Sequence, residues 1–267
     1  MTDSLPDLLD IAREAALAAV SVHHRAATGA STKGSPTDLV TDIDREAEQR
    51  LVAVIRKYRP DDSIVGEEGA AIKGSSGVCW ILDPLDGTTN FVYGYPAHAV
   101  AVGVEIDGER ALGLVHDTSR SCVYSGIVGQ GAYCDYRPIF ARTSNDLSHA
   151  LIGTGFLPQA AVRDVQGGVL RYVLPKVRDV RRSGCPSLDL CAVAAGMLDG
   201  FYEFGLGRWD IAAGAAIAEA AGASIALLAG KPLPDPLLVA ANPGLLPELL
   251  GLLDLALLEQ VVDPQGR

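Results

Sequence analysis

The sequence has no C-x-x-C pair, no excess of positive charge and no uninterrupted apolar run of the roughly 20 residues that a membrane-spanning helix needs. Its five cysteines, at positions 79, 122, 134, 185 and 191, are odd in number. That argues against a disulfide framework and fits free thiols in a reducing cytosol. The opening residues Met1-Thr2-Asp3-Ser4 lack the basic and apolar regions of a signal peptide. Pro243, Pro247 and Asp254 interrupt the apolar C-terminal stretch, so the expectation is a cytoplasmic protein with no membrane partner. With 22 Lys and Arg against 33 Asp and Glu, the formal charge is −11. This argues against a nucleic-acid groove. It suits a chain that concentrates divalent cations, although solvated surface also accounts for such acidity. No internal repeat or low-complexity linker divides the chain.

What is present is an ordinary globular composition, 48% apolar over 267 residues, long enough for one large domain or two lobes. The polar stretch Thr143-Ser144-Asn145-Asp146 marks a soft division. An N-terminal lobe (1–145) is followed by a C-terminal α/β lobe (146–267), the two forming one catalytic unit. Helical periodicity predicts a helix over 5–27, with Leu8, Ile11, Ala15, Ala19 and Val22 on one face. A second helix follows Asp44 and carries Ala47, Leu51, Val54, Ile55 and Tyr58 on its buried stripe. His23 and His24, adjacent and so on different helix faces, are read as capping or dipole groups rather than metal ligands. Strands are expected at 63–65 and 78–82, then a β-meander through 99–106, 111–116 and 122–128. The second half alternates: a strand at 150–153, helices at 164–177 and 187–198, a strand at 201–204 and an alanine-rich helix to Ala221. Strands at 224–228 and 237–241 and a closing helix over 244–261 complete it. Gly153-Thr154-Gly155 lacks the third glycine of a dinucleotide fingerprint, with Pro158 in its place. His98, His116 and His149 have no partner at ligand spacing and are read as structural.

The chemistry concentrates in Trp80-Ile81-Leu82-Asp83-Pro84-Leu85-Asp86-Gly87-Thr88-Thr89-Asn90-Phe91. A buried-type strand runs into two carboxylates held by a proline, then into a glycine that permits a tight turn or a close ligand approach. Such acids beside exposed N–H groups fit a hard cation and the phosphate it activates; read alone, the stretch also fits a solvated turn. About 15 residues earlier lies Gly66-Glu67-Glu68-Gly69. Two neighbouring strands ending together would bring Glu67 beside Asp83 and Asp86. Asp38, Asp42 and Asp44 cluster at a helix start, which the helix dipole alone would explain.

Together these residues resemble the inositol monophosphatase family of metal-dependent phosphatases. The pattern hydrophobic-D-P-[IL]-D-G-T-x-N-F is met by Ile81 to Phe91, and W-D-x-A-[AG]-[GA] by Trp209-Asp210-Ile211-Ala212-Ala213-Gly214. The G-E-E element is Gly66-Glu67-Glu68, and the K…D-L-V-T-x-x-D element is Lys33 with Asp38 to Asp44. The resemblance spans residues 8 to 253. It implies a layered αβαβα sugar-phosphatase fold of α+β type with mixed, largely antiparallel sheets. It also implies a homodimer, two or three Mg²⁺ ions and sensitivity to Li⁺. Carried over residue by residue, it implies Glu67 and Asp83 on the first metal with the Leu85 carbonyl. Asp83, Asp86 and Asp210 would hold the second, and Glu67 with solvent the third. Gly87 and Thr88 would offer N–H groups to the phosphate, and the Thr88 hydroxyl with Asp44 would orient the attacking water. Glu203 would touch substrate hydroxyls.

The chemistry agrees. Phosphate-monoester hydrolysis is so slow uncatalysed that large electrostatic help is required. The four acids Glu67, Asp83, Asp86 and Asp210 would repel one another without metal. The chain departs from the family at Gly184-Cys185-Pro186-Ser187, where many members have G-[ST]-A-A. Cys185 and Pro186 thus stand near the expected substrate edge and put inositol recognition in doubt, although proline also suits a helix start. The reading is an inositol 1-phosphate or similar small polyol monophosphate phosphatase. Histidinol phosphate, fructose 1,6-bisphosphate and 3′-phosphoadenosine 5′-phosphate are alternative substrates. A non-catalytic regulatory binding protein is the alternative of a different class.

Overall fold

The computed structural model describes residues 4–23, 31–32, 39–40, 42–228 and 236–262. Lys33, Asp38, His24 and the end of the first expected helix lie outside them. Helix α1 (Leu5–His23) and α2 (Asp42–Tyr58) flank a small ladder of β1 (Ser31–Thr32) and β2 (Leu39–Val40). Then come β3 (Ser63–Gly66), β4 (Ala71–Ile72), β5 (Val78–Asp86) and a short helix α3 (Thr88–Tyr93). The meander follows as β6 (Ala99–Ile106), β7 (Glu109–Asp117), β8 (Cys122–Ile127), β9 (Gly131–Cys134) and β10 (Arg137–Ile139). The second half runs β11 (Leu151–Thr154), α4 (Ala160–Val173), β12 (Asp179–Arg181), α5 (Pro186–Ala194) and β13 (Gly200–Phe204). It ends with α6 (Arg208–Ala220), β14 (Ser224–Leu228), β15 (Leu237–Ala241) and α7 (Leu246–Val262).

Eight strands form one sheet in the order β10-β9-β8-β7-β6-β5-β3-β4, antiparallel except where β3 lies parallel to β5. Five form a second, mixed sheet in the order β12-β11-β13-β15-β14. Three apolar layers separate and cover them. Leu8, Ala12, Ala15 and Ala19 of α1 with Leu51 and Ile55 of α2 pack on Trp80, Val102 and Leu114 of the first sheet. Helices α5 and α6 fill the space between the sheets, through Leu190, Val193, Ala213 and Ile217. Helices α4 and α7 cover the outer face of the second sheet, where Val169, Val173, Leu249 and Leu253 meet Tyr202 and Val239. The layers are therefore α-β-α-β-α, as the family resemblance implied. No helix among the described residues is long and apolar enough to cross a membrane.

One packing feature was not read from the sequence. Gly103, Gly113 and Gly126 are directly paired across β6, β7 and β8 and form a row without side chains. Helix α6 lies in that trench. A Cβ on Gly103 would come 2.6 Å from the Ala212 Cβ, and one on Gly126 would come 2.9 Å from the Ile217 Cα. The alanine-rich sequence of α6 is the other half of the fit, because only small side chains let a helix backbone approach a sheet so closely.

Helix α4 begins at Ala160, four residues earlier than expected, and two helix C-termini differ from expectation for local reasons. Helix α4 stops at Val173, and Leu174–Lys176 forms a 3-10 turn. Pro175 lacks the N–H that an α-helix would need and clashes with the preceding turn. Helix α5 stops at Ala194, where Gly196 takes φ 66°, the left-handed conformation in which helices commonly end. The short β4, β9, β10 and β12 and helix α3 were missed, each being two to six residues long.

Candidate active site

The parallel pairing of β3 with β5 places Gly66 opposite Leu82, so β3 ends beside the residue before Asp83 while β5 runs on to Asp86. The Glu67 N–H continues the ladder to the Leu82 carbonyl at 3.2 Å, and the Glu67 carboxyl comes close enough to Asp83 to raise that group's pKa. Further along β5, Asp83 faces Ala101 and Asp86 faces Ala99. Three steps on β5 thus match two on β6, which is a bulge of one residue around Pro84, where a strand must tolerate a missing N–H. The bulge matters because side chains alternate along a strand. Residues 83 and 86 would otherwise point to opposite faces. With the extra residue, carboxylate oxygens of Asp83, Asp86 and Asp210 lie within 4.8 Å of one another.

Asp210 reaches this cluster from α6. It sits in the first turn, and its Oδ2 accepts the Gly207 N–H at 2.6 Å as a cap. The Asp86 Oδ2 accepts the Ser187 N–H at 2.7 Å and the Cys185 thiol at 3.0 Å. The Asp83 Oδ1 accepts the Leu85 N–H at 3.0 Å. Its Oδ2 is buried and has no hydrogen-bond partner among the described residues. Burial first, and then Glu67, Asp86 and Asp210, raise the Asp83 carboxyl well above its ordinary range. Burial also raises Asp86, against the lowering effect of its bonds from Cys185 and Ser187. An orphaned buried oxygen amid mutually repelling carboxylates is a poor apolar core and a good oxygen cage for a hard dication. These residues fit a metal.

Asp44 is fully buried at the start of α2. The Thr88 hydroxyl stands 3.0 Å from the Asp44 Oδ1 and 3.0 Å from the Leu85 carbonyl, with one proton for the two acceptors. Gly87, at φ 84°, turns the chain between Asp86 and Thr88; a Cβ there would come 2.7 Å from the Ala97 carbonyl. Asn90 fixes the turn to the second half of the chain, donating to the carbonyls of Ala97 at 2.7 Å and Ser183 at 3.0 Å.

Above these acids opens a cleft of about 580 Å³. Glu67, Gly87, Thr88, Gly184, Pro186, Glu203 and Asp210 line it, all named from the sequence. Asp83, Leu85 and Asp86 lie beneath its floor. Cys185 was expected at the substrate's edge; its side chain is instead fully buried, with the thiol turned down onto Asp86. Pro186 is the first residue of α5, so the helix-start explanation of that proline holds. Glu203 is buried in β13, and its carboxyl is raised well above its ordinary range by burial, then by Asp189 and Asp210. His23 does not cap α1 from solvent. It is buried behind the Asp83-Pro84 turn, with Nε2 3.0 Å from the Pro84 carbonyl and its ring against Phe91.

Several residues of the site escaped the sequence reading. Glu48 accepts the N–H groups of Glu68 at 2.8 Å and Ala70 at 2.9 Å, and so shapes the turn that carries Glu67. Its signal was present: Asp44, Glu48, Leu51 and Ile55 share one buried face of α2 at helical spacing, and an acid on an apolar stripe needs a reason. Arg182 and Arg163 line the far wall with Phe156, Leu157 and Pro158. Gln166 holds that wall, accepting the Leu157 N–H at 3.0 Å. Asp189, buried beneath the cleft, accepts from the Ser183 hydroxyl at 2.7 Å, and burial pushes its carboxyl up to about 7.

Comparison with known proteins agrees with this geometry. The profile of the inositol monophosphatase family matches residues 5–259. The chain is similar to an inositol-1-monophosphatase SuhB of Mycobacterium tuberculosis, 46% identical over 231 residues that cover 83% of this chain and 80% of the relative. It is also similar to a Nus factor SuhB of Pasteurella multocida, 37% identical over 224 residues, 82% of this chain and 84% of the relative. Among solved structures, the extragenic suppressor protein suhB of Bartonella henselae superposes with a TM-score of 0.85 at 30% identity, covering 92% of this chain and 98% of that one. The chain belongs to the inositol monophosphatase family.

Proposed function

We propose that this protein is a Mg²⁺-dependent phosphomonoesterase acting on inositol 1-phosphate or a similar small polyol monophosphate. The observation that carries the reading is the Asp83-Asp86-Asp210 cluster, with one buried Asp83 oxygen left for an ion. Glu67, Asp83 and the Leu85 carbonyl would hold one ion, and Asp83, Asp86 and Asp210 a second, with Glu67 and solvent holding a third. Bound there, the ions supply charge neutralisation at the phosphate, a lowered pKa for water and stabilisation of the departing alkoxide. The chain's own groups do the positioning. Asp44 and the Leu85 carbonyl compete for the Thr88 proton. The Thr88 oxygen is thereby left to accept an O–H from a water and to aim its oxygen at phosphorus. The N–H groups of Gly87 and Thr88 bind the phosphate. Glu203, with Gly184 and Pro186, faces the alcohol part of the substrate, and Cys185 acts indirectly through Asp86.

The test is phosphate release from inositol 1-phosphate, histidinol phosphate, fructose 1,6-bisphosphate and 3′-phosphoadenosine 5′-phosphate, with Mg²⁺, with EDTA and with added Li⁺. Mg²⁺-dependent turnover of the first, suppressed by Li⁺ and abolished by Asp210→Ala, is expected. Turnover that survives EDTA, or near-normal activity in Asp210→Ala, overturns the proposal. The relatives named Nus factors carry a second reading, in which the chain serves as such a factor instead of hydrolysing phosphate. The intact acid set favours hydrolysis, and the absence of release from every substrate would favour the other.

A further inference from the structure

A second cluster of ligand-type side chains lies on the first sheet, outside the acid site. Strands β8 and β9 pair so that Tyr124 faces Cys134, and Cys122 is the same-face diagonal neighbour of Cys134. Strand β9 then turns directly into β10, with Cys134 paired to Arg137 and positive φ at Asp135 (46°) and Tyr136 (67°). That is the two-residue hairpin turn whose twist suits antiparallel strands. The turn folds Asp135 back along β8. Its N–H donates to the Val123 carbonyl at 3.0 Å, and its Oδ1 accepts the Val123 N–H at 2.9 Å. The Cys122 sulfur, the Cys134 sulfur and a carboxylate oxygen of Asp135 consequently lie within 4.8 Å of one another. The two thiols are close enough to perturb each other, and Tyr124 lies beside Cys134 on the paired strand. Both cysteines are half-buried and Asp135 is exposed, so solvent reaches the cluster.

We propose that Cys122, Cys134 and Asp135 form a separate metal site for a thiophilic divalent cation such as Zn²⁺. Two sulfurs and one carboxylate oxygen are a ligand set for zinc-like ions in tetrahedral geometry, with water as the fourth ligand. They are the wrong set for Mg²⁺, which requires oxygen. A disulfide explains the pair less well. Diagonal cross-strand neighbours stand about 7–8 Å apart, beyond the span of an unstrained disulfide, whereas an ion between the sulfurs lengthens the bridge. Accepting from Val123 leaves the Asp135 carboxylate ample lone-pair capacity. Of the nearby cations, Arg120 is committed to Asp117 at 2.9 Å, Arg13 lies 5.1 Å over the Tyr136 ring, and Arg137 is paired across the hairpin with Cys134. On binding, the two thiol protons pass to solvent and the sulfurs coordinate as thiolates, so the site fills more readily as pH rises. The ion would clamp the β9–β10 hairpin onto β8.

Cadmium distinguishes this site from the oxygen-lined one, because sulfur-to-cadmium bonding gives an ultraviolet charge-transfer absorption that carboxylates cannot. Reduced, EDTA-stripped full-length protein is titrated with Cd²⁺ in excess Mg²⁺. One equivalent with that absorption is expected in the parent, in Asp83→Asn and in Cys185→Ala. The absorption should disappear in Cys122→Ser/Cys134→Ser, and Asp135→Asn should weaken binding at least about tenfold, since it replaces a charged ligand by a neutral one and even outer-shell losses at a metal cost about that much. Circular dichroism establishes that each variant is folded. Zn²⁺ should compete the cadmium signal away and slow alkylation of Cys122 and Cys134, read by peptide mass. An absent signal in the parent, or an undiminished one in the double serine variant, overturns the proposal.

Discussion

Gly113→Ala should damage the active site although residue 113 lies outside its cleft. The added Cβ would sit 2.1 Å from the Ala213 carbonyl oxygen and 3.0 Å from the Ala213 Cα. The first distance is about 1.3 Å short of ordinary van der Waals contact at 3.4 Å. Both partners are backbone atoms, and no rotamer relieves the clash. Helix α6 must therefore lift out of the trench formed by Gly103, Gly113 and Gly126. Overpacking of this kind costs about 1–3 kcal/mol. At about 2–4 °C per kcal/mol for a chain of this size, the Tm should fall by roughly 2–12 °C. The helix also carries Asp210, one turn before Ala213. A shift of about 1 Å at a reacting centre can cost about 10²-fold in rate, so kcat for phosphate release should drop by about that factor while the protein remains folded. Calorimetric Mg²⁺ titration should show weaker binding in the same variant. Gly167→Ala is the control. Gly167 lies within α4, and a methyl added there would meet nothing within 4 Å; the change should stabilise the helix by up to about 1 kcal/mol with unchanged kcat. If Gly113→Ala keeps the parent's Tm and is within twofold of its kcat, the trench does not position Asp210 and the reasoning fails.

Three further changes test the site's electrostatics and supports. Glu48→Leu strands the half-buried N–H groups of Glu68 and Ala70, at up to about 1 kcal/mol for each lost hydrogen bond; it should weaken Mg²⁺ binding with Asp83 intact, and unaltered binding would refute a supporting role. Asp83→Asn removes a buried, repelled carboxylate. Its Tm in EDTA should exceed the parent's, while saturating Mg²⁺, which at 100 times Kd stabilises by about 2.7 kcal/mol, should raise the parent far more than the variant. Equal Mg²⁺ shifts in the two proteins would contradict the assignment. For Asp189 the folded pKa of about 7 lies above the ordinary aspartate value of 3.8, so the folded state holds the extra proton between them. The stability it contributes is full below the unfolded pKa and is lost as pH rises through about 7. Metal-free Asp189→Asn should therefore show a flatter stability profile across that window by urea unfolding; parallel profiles would refute the shift.

The legible parts of the fold were those with long periods or fixed chemistry. Strand β6 was read at its observed bounds because Ala99–Ile106 is a largely apolar run, broken only by Glu105, and is closed by Asp107-Gly108. The acids of the site were named from motifs shared with the family, D-P-L-D-G-T, G-E-E and W-D-I-A-A-G, whereas the bulge at Pro84 and the Asp210 cap that bring them together were not legible. Cys185 shows where such reading stops. Its position in the G-[ST]-A-A element placed it at the substrate's edge, but the direction of its thiol depends on how α5 meets β5, a contact between residues about 100 apart in the chain. The Gly103-Gly113-Gly126 row was invisible for the same reason. Each glycine alone reads as a mild weakening of a strand, and only the register of three strands makes them one groove.

The manner in which the site's acids are held explains why a fold would tolerate them. Asp86 is fixed by the Ser187 N–H and the Cys185 thiol, and Asp83 by the Leu85 N–H. These are neutral donors. They orient a carboxylate without cancelling its charge, whereas an arginine in the same place would both orient it and compete with a cation for it. The negative potential between β5 and the start of α6 is therefore retained, and a dication entering it finds ligands already aimed. The same choice destabilises the metal-free protein, since burial and mutual repulsion both act on Asp83. The compensating contacts lie away from the acid cluster: α6 seated in its glycine trench, Glu48 under the Glu67 turn, and Asn90 linking the two halves of the chain. A rise in metal-free stability on neutralising Asp83, together with a fall on disturbing Gly113 or Glu48, is the combination that this division of labour requires.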